Sequence, residues 1–261
     1  MADITISYKN DDIAEISQSG TVTLDTSGKY CEDDITIEYV KPAGGTDYMA
    51  QNVMDTLTTY SSNEVTTIRA QAFRDSSITR VTFPNCTKVY GDAFRGTHIT
   101  GFYAADFPLL EETGNGGFGN LGSYPQFACF PKVGKIEQSG ISGTGIQAVD
   151  VGNANVTPVS IAGSAFNSNS LMTTLILRYT SIISLSTLTA FNGTPFASGG
   201  TGGTIYIPES LYNHLGDESA SDYKAATNWS VIDGYNTITW AKIEGSQYET
   251  KYADGTDIVA G

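Results

Sequence analysis

Charged residues are scarce in this chain of 261 residues, at 16% of the sequence, well below the ~25% usual for soluble domains. Thr, Ser, Gly and Asn take their place, and these residues suit exposed strands and turns better than helix surfaces. Hydrophobic residues still make up 40% of the chain, which is enough to bury a core and excludes general disorder. The composition therefore indicates a folded, β-rich protein.

Basic residues are also few, because 14 Lys and Arg stand against 28 Asp and Glu, for a formal net charge of −14. This field repels phosphate backbones and anionic membrane surfaces, so neither nucleic acid nor a membrane is expected as a partner. No apolar run approaches the ~18 residues of a membrane span. The N-terminus, Met1-Ala2-Asp3-Ile4-Thr5, lacks the basic and apolar stretches of a secretory signal, so we expect synthesis in a reducing bacterial cytoplasm.

Cysteine and histidine are too sparse to indicate a metal or catalytic site. Cys31, Cys86 and Cys129 match neither zinc-site spacing nor a disulfide framework, so three free thiols are expected. The two histidines, His98 and His214, are not accompanied by the G-x-S-x-G elbow of a serine hydrolase. Both are interpreted as surface polar residues.

One glycine-rich stretch, Gly114-Asn115-Gly116-Gly117-Phe118-Gly119, fits the dinucleotide pattern G-x-G-x-x-G. No βαβ unit surrounds it, so it is interpreted as a turn. We therefore expect no enzyme activity, no cofactor and no metal ion. A catalytic pair of carboxylates, which spacing alone does not reveal, stays open as an alternative.

A repeat of about two dozen residues runs through the middle of the chain. An apolar residue is followed five positions later by a second one, here called the anchor, as in Ile68 to Phe73 and Val89 to Phe94. The gaps between anchors, 21 to 25 residues, lie in the ~20–29 residue range of leucine-rich repeats. The anchors are Phe73, Phe94, Phe118, Ile141, Phe166 and Phe191.

Most anchors precede a strand-like segment of the form apolar-x-x-apolar-x-apolar, as at Ile78, Val81 and Phe83. The copy around residues 127–130 is irregular. One such unit cannot bury its own apolar face, whereas stacked units share a core and pair their strands. We therefore predict a β-rich repeat solenoid with parallel strands, in which the anchors stack in an internal column opposite those strands.

Two copies resemble the BspA-like leucine-rich repeat: Gln71-Ala72-Phe73-Arg74 with Ile78-Thr79-Arg80-Val81-Thr82-Phe83-Pro84, and Gly91-Asp92-Ala93-Phe94-Arg95. The stretch Ile205-Tyr206-Ile207-Pro208, followed by Tyr223-Lys224-Ala225-Ala226-Thr227-Asn228-Trp229-Ser230, is similar to the closing unit of such arrays. The resemblance covers roughly residues 66–232. It implies a leucine-rich-repeat fold and a role in surface adhesion or recognition, with no shared catalytic site.

The flanks predict smaller modules. Residues 1–41 alternate as strands do and predict a small antiparallel β module. Its run Ser19-Gly20-Thr21-Val22-Thr23-Leu24 through Gly28-Lys29-Tyr30, then Asp34-Ile35-Thr36-Ile37-Glu38-Tyr39-Val40, is similar to short N-terminal modules of tailed-phage virion proteins. Residues 42–66 predict a linker and a short amphipathic helix, within 47–57, that caps the first repeat. Residues 67–232 form the predicted solenoid, closed by a second capping helix over 223–229. Residues 233–261 predict a C-terminal β-hairpin.

The strand face is the candidate binding surface. In each apolar-x-apolar segment the middle side chain points away from the core, because side chains alternate along a strand. Two tyrosines and an exposed isoleucine in this row suit recognition of a protein or a sugar, and an ordinary strand surface is the alternative. The face comprises the middle residues Thr82, Tyr103, Cys129, Asp150, Ile176 and Tyr206, with Arg80 and Arg178 beside them.

Together these features predict a structural protein of a tailed-phage virion. The N-terminal module docks on other virion proteins, and the repeats present a surface to a host protein or glycan. A tail-fibre or receptor-binding role is expected first, with capsid decoration or a head fibre close behind. Such proteins commonly form trimers, so a homotrimer is an open expectation without a trimer signal in the sequence. The alternatives are a bacterial cell-surface adhesin and a glycan hydrolase.

Overall fold

The structure, a computed structural model, describes residues 58–63, 65–143, 145–213 and 220–243, together with the backbone of four short strands nearer the N-terminus. Cys31, His214 and most of the predicted N-terminal module lie outside the described residues. The described part is β-rich, with several parallel sheets and a few short helices, and this class of fold was predicted. None of the helices in these ranges is long and apolar enough to span a membrane.

The strands are short, between two and five residues, and most are separated by turns. The strands described are β1 (Ile4–Ile6), β2 (Ile16–Gln18), β3 (Tyr39–Val40), β4 (Met49–Ala50), β5 (Thr59–Ser61), β6 (Thr67–Ile68), β7 (Arg80–Thr82), β8 (Lys88–Val89), β9 (Phe127–Phe130), β10 (Lys135–Ile136), β11 (Ala148–Val151), β12 (Ser160–Ile161), β13 (Thr174–Leu177), β14 (Ser184–Leu185), β15 (Gly203–Ile207) and β16 (Ile238–Lys242). A 3₁₀ helix spans Leu188–Phe191, and the α-helices are α1 (Glu209–Tyr212), α2 (Ser221–Ala225) and α3 (Trp229–Asp233).

The largest sheet has five parallel strands in the order β16-β15-β13-β11-β9. Val149 in β11 pairs with Ala128 on one side and Leu175 on the other. These apolar residues point into the main core and are fully buried. The copy at 127–130, irregular in sequence, is therefore a regular strand in the structure.

A second ladder of parallel strands runs alongside this sheet. It contains the pair β6-β8 and the three strands β10-β12-β14. Glu112 joins the two groups, because it forms backbone bridges to Lys88 on one side and Lys135 on the other. The side chains of Lys88, Glu112 and Lys135 point outward. The residue after each of them, such as Ile136, is buried, so each short strand adds one side chain to the core.

The anchors stack over the first three repeats. The rings of Phe73 and Phe94 lie 5.4 Å apart and 5° from parallel. The rings of Phe94 and Phe118 lie 5.5 Å apart and 20° from parallel. Aromatic pairs at such separations add to the stabilisation that comes from burial alone.

The same column continues through the next three repeats. Phe118 forms a parallel backbone bridge with Ile141, whose amide donates to the carbonyl of Ala165 at 3.1 Å. The next anchor, Phe166, stacks on Phe191 with the ring centroids 5.3 Å apart. The rings of the anchors therefore stack in two groups, Phe73 to Phe118 and Phe166 to Phe191, and backbone contacts of Ile141 link the two groups.

The backbone repeats together with the side chains. Two positions before each of five anchors, the residue has a positive φ, between 51° and 67°. Only glycine adopts this conformation without a steric cost, yet four of these five residues carry a side chain. Residues at the same place in different repeats therefore share a conformation that their own preferences do not favour. They are Gln71, Asp92, Gly116, Ser139 and Ser164.

A buried hydroxyl recurs three residues after several anchors, and the sequence patterns did not reveal it. Ser76 donates to the carbonyl of Phe73 and Thr97 to that of Phe94, both at 2.8 Å. Thr194 donates in the same way to Phe191 at 2.7 Å. The same anchor carbonyls also accept from the backbone amides of Ser76, Thr97 and Thr194, so each turn after the anchor is held by two hydrogen bonds and the buried hydroxyl has a partner.

The predicted helix within 47–57 is wrong at its start, because Met49–Ala50 is strand β4 and pairs antiparallel with Tyr39–Val40. Residues 51–57 lie outside the described residues. Farther on, Thr59–Ser61 forms strand β5, which pairs in parallel with β7 in a two-stranded sheet. Pairing with another part of the chain has overridden a weak local helical pattern.

Nearer the N-terminus, β1 and β2 pair antiparallel, as predicted for the N-terminal module.

The closing unit also differs from the single helix predicted over 223–229. Helix α2 ends at Ala225 and α3 begins at Trp229, with Asn228 between them at φ 65°. The Trp229 indole donates to the Ile183 carbonyl at 2.8 Å, so the two helices cover the last repeat.

Strand β16 was predicted to belong to a separate hairpin. The structure instead pairs it in parallel with β15, from Gly203 with Ile238 to Ile207 with Lys242. The rest of the predicted hairpin, from residue 244 onward, lies outside the described residues.

Candidate functional site

The middle residues of the strand face line up as predicted across four neighbouring strands. Cys129 pairs with Asp150, Asp150 with Ile176, and Ile176 with Tyr206. Parallel neighbours in a sheet stand ~4.8 Å apart, so these side chains form one continuous row. The alignment follows from the common apolar-x-apolar pattern of the strands.

The row is not uniformly exposed, and the prediction of an exposed isoleucine is wrong. Ile176 is 0% exposed, Asp150 1% and Cys129 5%. They lie among Phe127 and Ala148 in or beside a small apolar cluster that is separate from the main core. The sheet thus carries buried apolar residues on both faces here, and we call this part the sealed half of the strand face. The partly buried residues packed against the cluster are Tyr103, Ala104, Tyr206 and Ile243.

A buried ion pair crosses the sealed half. The Arg178 guanidinium donates to both carboxylate oxygens of Asp150, at 2.8 Å from Nε to Oδ1 and 2.9 Å from Nη2 to Oδ2. The side chains are only 15% and 2% exposed. Such two-point pairing is among the strongest hydrogen-bonded arrangements of charged groups in proteins. These two residues of the predicted binding face therefore serve the fold.

The thiol of Cys129 lies beside this pair, with Sγ 3.8 Å from an Asp150 oxygen. Burial, reinforced by the negative charge of Asp150, raises the pKa of Cys129 well above its ordinary value. The thiol therefore stays protonated, unlike the reactive cysteines of catalytic sites. Cys86 and Cys129 are both free, as expected.

The neighbouring part of the strand face, around Arg80 and Tyr103, is more open, and we call it the open half. Arg80 keeps 46% of its side chain exposed, and its guanidinium carbon lies 4.2 Å from the centre of the Tyr103 ring. Thr82 and Tyr103 are half-buried. Arginine and tyrosine are enriched among the residues that contribute most to binding in protein interfaces, so the residue types of this cation–π pair are ones that suit recognition.

An acid that sequence reasoning missed, Asp106, holds the open half together. One carboxylate oxygen accepts from Arg80 Nη2 at 3.1 Å and from the Thr82 hydroxyl at 3.2 Å. The other accepts from the Tyr103 amide at 2.9 Å. Burial raises the pKa of Asp106, and these hydrogen bonds and the Arg80 charge oppose the shift. No periodic pattern marks this acid, because it lies in the turn that follows Tyr103.

A row of exposed, uncharged side chains borders the strand face and was also missed. The amide of Gln126 donates to the Thr100 carbonyl at 2.9 Å, that of Gln147 to the Gln126 carbonyl at 2.7 Å, and that of Thr173 to the Gln147 carbonyl at 3.0 Å. The backbone bonds hold these side chains at neighbouring positions. Their hydroxyl and amide groups both donate and accept hydrogen bonds.

Two exposed aromatic residues stand near one end of this row. Tyr124 is 50% exposed, and its ring centre lies 4.7 Å from that of His98. His98 is exposed, as expected. Aromatic rings with a polar tip suit contacts with a wet partner surface.

The glycine stretch at 114–119 forms a turn, as predicted. A Cβ on Gly117 would lie 1.6 Å from the Thr113 carbonyl oxygen, so only glycine fits. The turn carries the buried anchor Phe118, which accounts for the glycines without a nucleotide. Among the described residues, no group of three or more His, Cys, Asp or Glu is placed to hold a metal ion.

Comparison of the chain with protein-family models, with curated proteins and with solved structures gives no match in any of the three.

Proposed function

We propose that the chain is a structural protein of a tailed-phage virion, in which stacked repeats form a leucine-rich-repeat solenoid that presents its strand face to the host. The observation that carries this proposal is the continuous column of anchors from Phe73 to Phe191. Units that share one core in this way present an extended surface, which such repeat proteins use for binding. A binding role therefore fits the architecture better than a catalytic one.

The open half of the strand face is the proposed contact surface. It contains the Arg80–Tyr103 pair, and we propose that the neutral row with Gln126 and Gln147, which borders the strand face, adds to the contact. The neighbouring sealed half is fixed by Asp150 and Arg178. A rigid support lowers the entropy lost on binding, which suits recognition of a host protein or glycan.

The virion assignment rests on the N-terminal residues 1–41 and their similarity to short modules of tailed-phage virion proteins. The antiparallel pairing of Ile4–Ile6 with Ile16–Gln18 is compatible with a small β module of this kind. We propose that this module docks on other virion proteins. A tail-fibre or receptor-binding position is proposed first, and capsid decoration or a head fibre second.

Mass spectrometry and immunogold labelling of purified particles test this proposal. We expect the protein in the virions, with gold at the tail tip for a receptor-binding protein or over the head for a decoration protein or head fibre. Absence from particles would overturn the virion assignment. Gold on the surface of uninfected bacteria would instead support the adhesin alternative.

A further inference from the structure

A polar groove of about 810 Å³ lies on the second ladder and shares no residue with the strand face. This volume falls within the ~300–1,000 Å³ of typical ligand clefts. Its floor is made by the outward residues Lys88, Glu112 and Lys135, which adjacent backbone bridges hold side by side.

One wall of the groove is the segment from Asn153 to Thr157, and hydrogen bonds of the Asn153 side chain hold it in place. The Asn153 side-chain amide donates to the Pro131 carbonyl at 2.7 Å, and its oxygen accepts from the Asn155 amide at 2.7 Å. A Cβ on Gly134 would lie 2.9 Å from the Thr157 carbonyl oxygen. Glycine therefore lets the wall approach the floor this closely, and the groove is formed before any ligand arrives.

The charges on the floor alternate in sign and largely cancel. Lys88 Nζ lies 2.9 Å and Lys135 Nζ 3.6 Å from the two carboxylate oxygens of Glu112, and Lys135 also pairs with Glu137. The hydrogen bond that Lys88 donates to Glu112 raises the pKa of Lys88, and the one that Lys135 donates to Glu137 raises the pKa of Lys135. Both lysines are therefore charged at neutral pH.

We propose that this groove binds a neutral saccharide. A polyanion would meet Glu111 and Glu112 in a chain of net charge −14, and a polycation would meet the lysines, including the exposed Lys132. Sugar hydroxyls both donate and accept, so they can bond ammonium, amide and carboxylate groups at once. Val159, which is 55% exposed at the rim, offers an apolar contact for the C–H face of a sugar ring.

Saturation-transfer NMR with the full chain tests the proposal, using neutral trisaccharides of glucose, galactose, mannose and N-acetylglucosamine as probes. We expect at least one of them to bind. The double substitution Lys132→Ala with Asn155→Ala removes two exposed donors from the groove. It should raise the Kd of the neutral sugar that binds at least tenfold. Trigalacturonic acid, the acidic counterpart of the galactose probe, should bind more weakly than the neutral sugars.

The matched control is Lys224→Ala with Asn115→Ala, which removes the same two residue types outside the groove. This control should bind the sugar with an unchanged Kd. No transfer to any neutral probe at millimolar concentration would overturn the proposal. Equal affinity of the groove variant and the original protein, or tighter binding of trigalacturonic acid, would overturn it too. None of these results bears on the virion assignment, which the particle analysis tests separately.

Discussion

The two halves of the strand face contain the same chemical pair in different surroundings. In each half a nearly buried aspartate, Asp106 or Asp150, binds the guanidinium of an arginine. Arg80 of the open half keeps 46% of its side chain exposed, whereas Arg178 of the sealed half keeps 15%. The comparison shows that the cover over an ion pair, and not its chemistry, decides whether it is available to a partner or serves only the fold.

The largest expected effect is the loss of stability when each aspartate is neutralised. Asp150→Asn should lower the free energy of unfolding by about 3–5 kcal/mol, because a largely buried guanidinium loses the carboxylate it binds. Asp106→Asn should cost only about 1–2 kcal/mol, because water can solvate Arg80. Urea denaturation of both variants measures the difference. Equal losses of unfolding free energy would mean that the two ion pairs are equally shielded from water.

The next effect concerns binding through the open half. Arg80→Gln with Tyr103→Leu removes the cation–π pair but keeps a donor for Asp106 and apolar cover for Phe127. We expect host adsorption to fall at least tenfold, as for a binding hot spot, at a stability cost of about 1 kcal/mol.

The matched control for that variant is Arg95→Gln with Tyr90→Leu, which changes an exposed arginine and tyrosine outside the strand face. Adsorption of particles with this control should be unchanged. If both variants adsorb like the original protein, the open half is not the contact surface.

The smallest effect concerns thiol access and leaves the fold intact. In a Cys31→Ser background, Cys86 and Cys129 should resist DTNB at pH 8 until urea is added, because both are buried. Burial raises the pKa of Cys86 to about 12, so its thiolate is also scarce. A thiol introduced by Thr82→Cys in the open half should react in the folded protein. Rapid reaction of Cys129 would show that the sealed half is open.

The same pKa shift predicts a pH dependence with a definite sign. The folded pKa of Cys86 lies above the ~8.5 of an unfolded thiol, so folding favours its protonated form. The stability that the protonated Cys86 thiol contributes is complete below a pH of ~8.5. It is lost as the pH rises toward 12. A Cys86→Ala variant should show less alkaline loss of stability than the original protein.

The anchors and the aligned middle residues could be predicted, whereas the burial of Ile176 could not. Anchors such as Phe94 recur at a steady interval, and an apolar residue that recurs in this way must be buried in a shared interior. Alternation along each strand likewise predicts that Asp150 and Ile176 share a row. Their exposure depends on which residues from other strands lie over that row, and no local pattern records this.

Asp106 and Glu112 show that the partners of polar residues could not be predicted from local patterns either. Asp106 binds Arg80 from 26 residues away, and Glu112 bridges two lysines that are far apart in the chain. Met49 and Ala50 show it for secondary structure, because strand pairing replaced a local helical pattern. In each case the partner comes from a distant segment.

The sequence by itself determined the β-rich class, the interval of the repeats and which side chains stack inside, because each of these follows from local periodicity and the burial of apolar surface. Only the tertiary structure decided which part of the strand face is covered, which acids hold which cations, and where the groove beside Lys132 lies. Those features depend on distances between segments that the fold alone brings together.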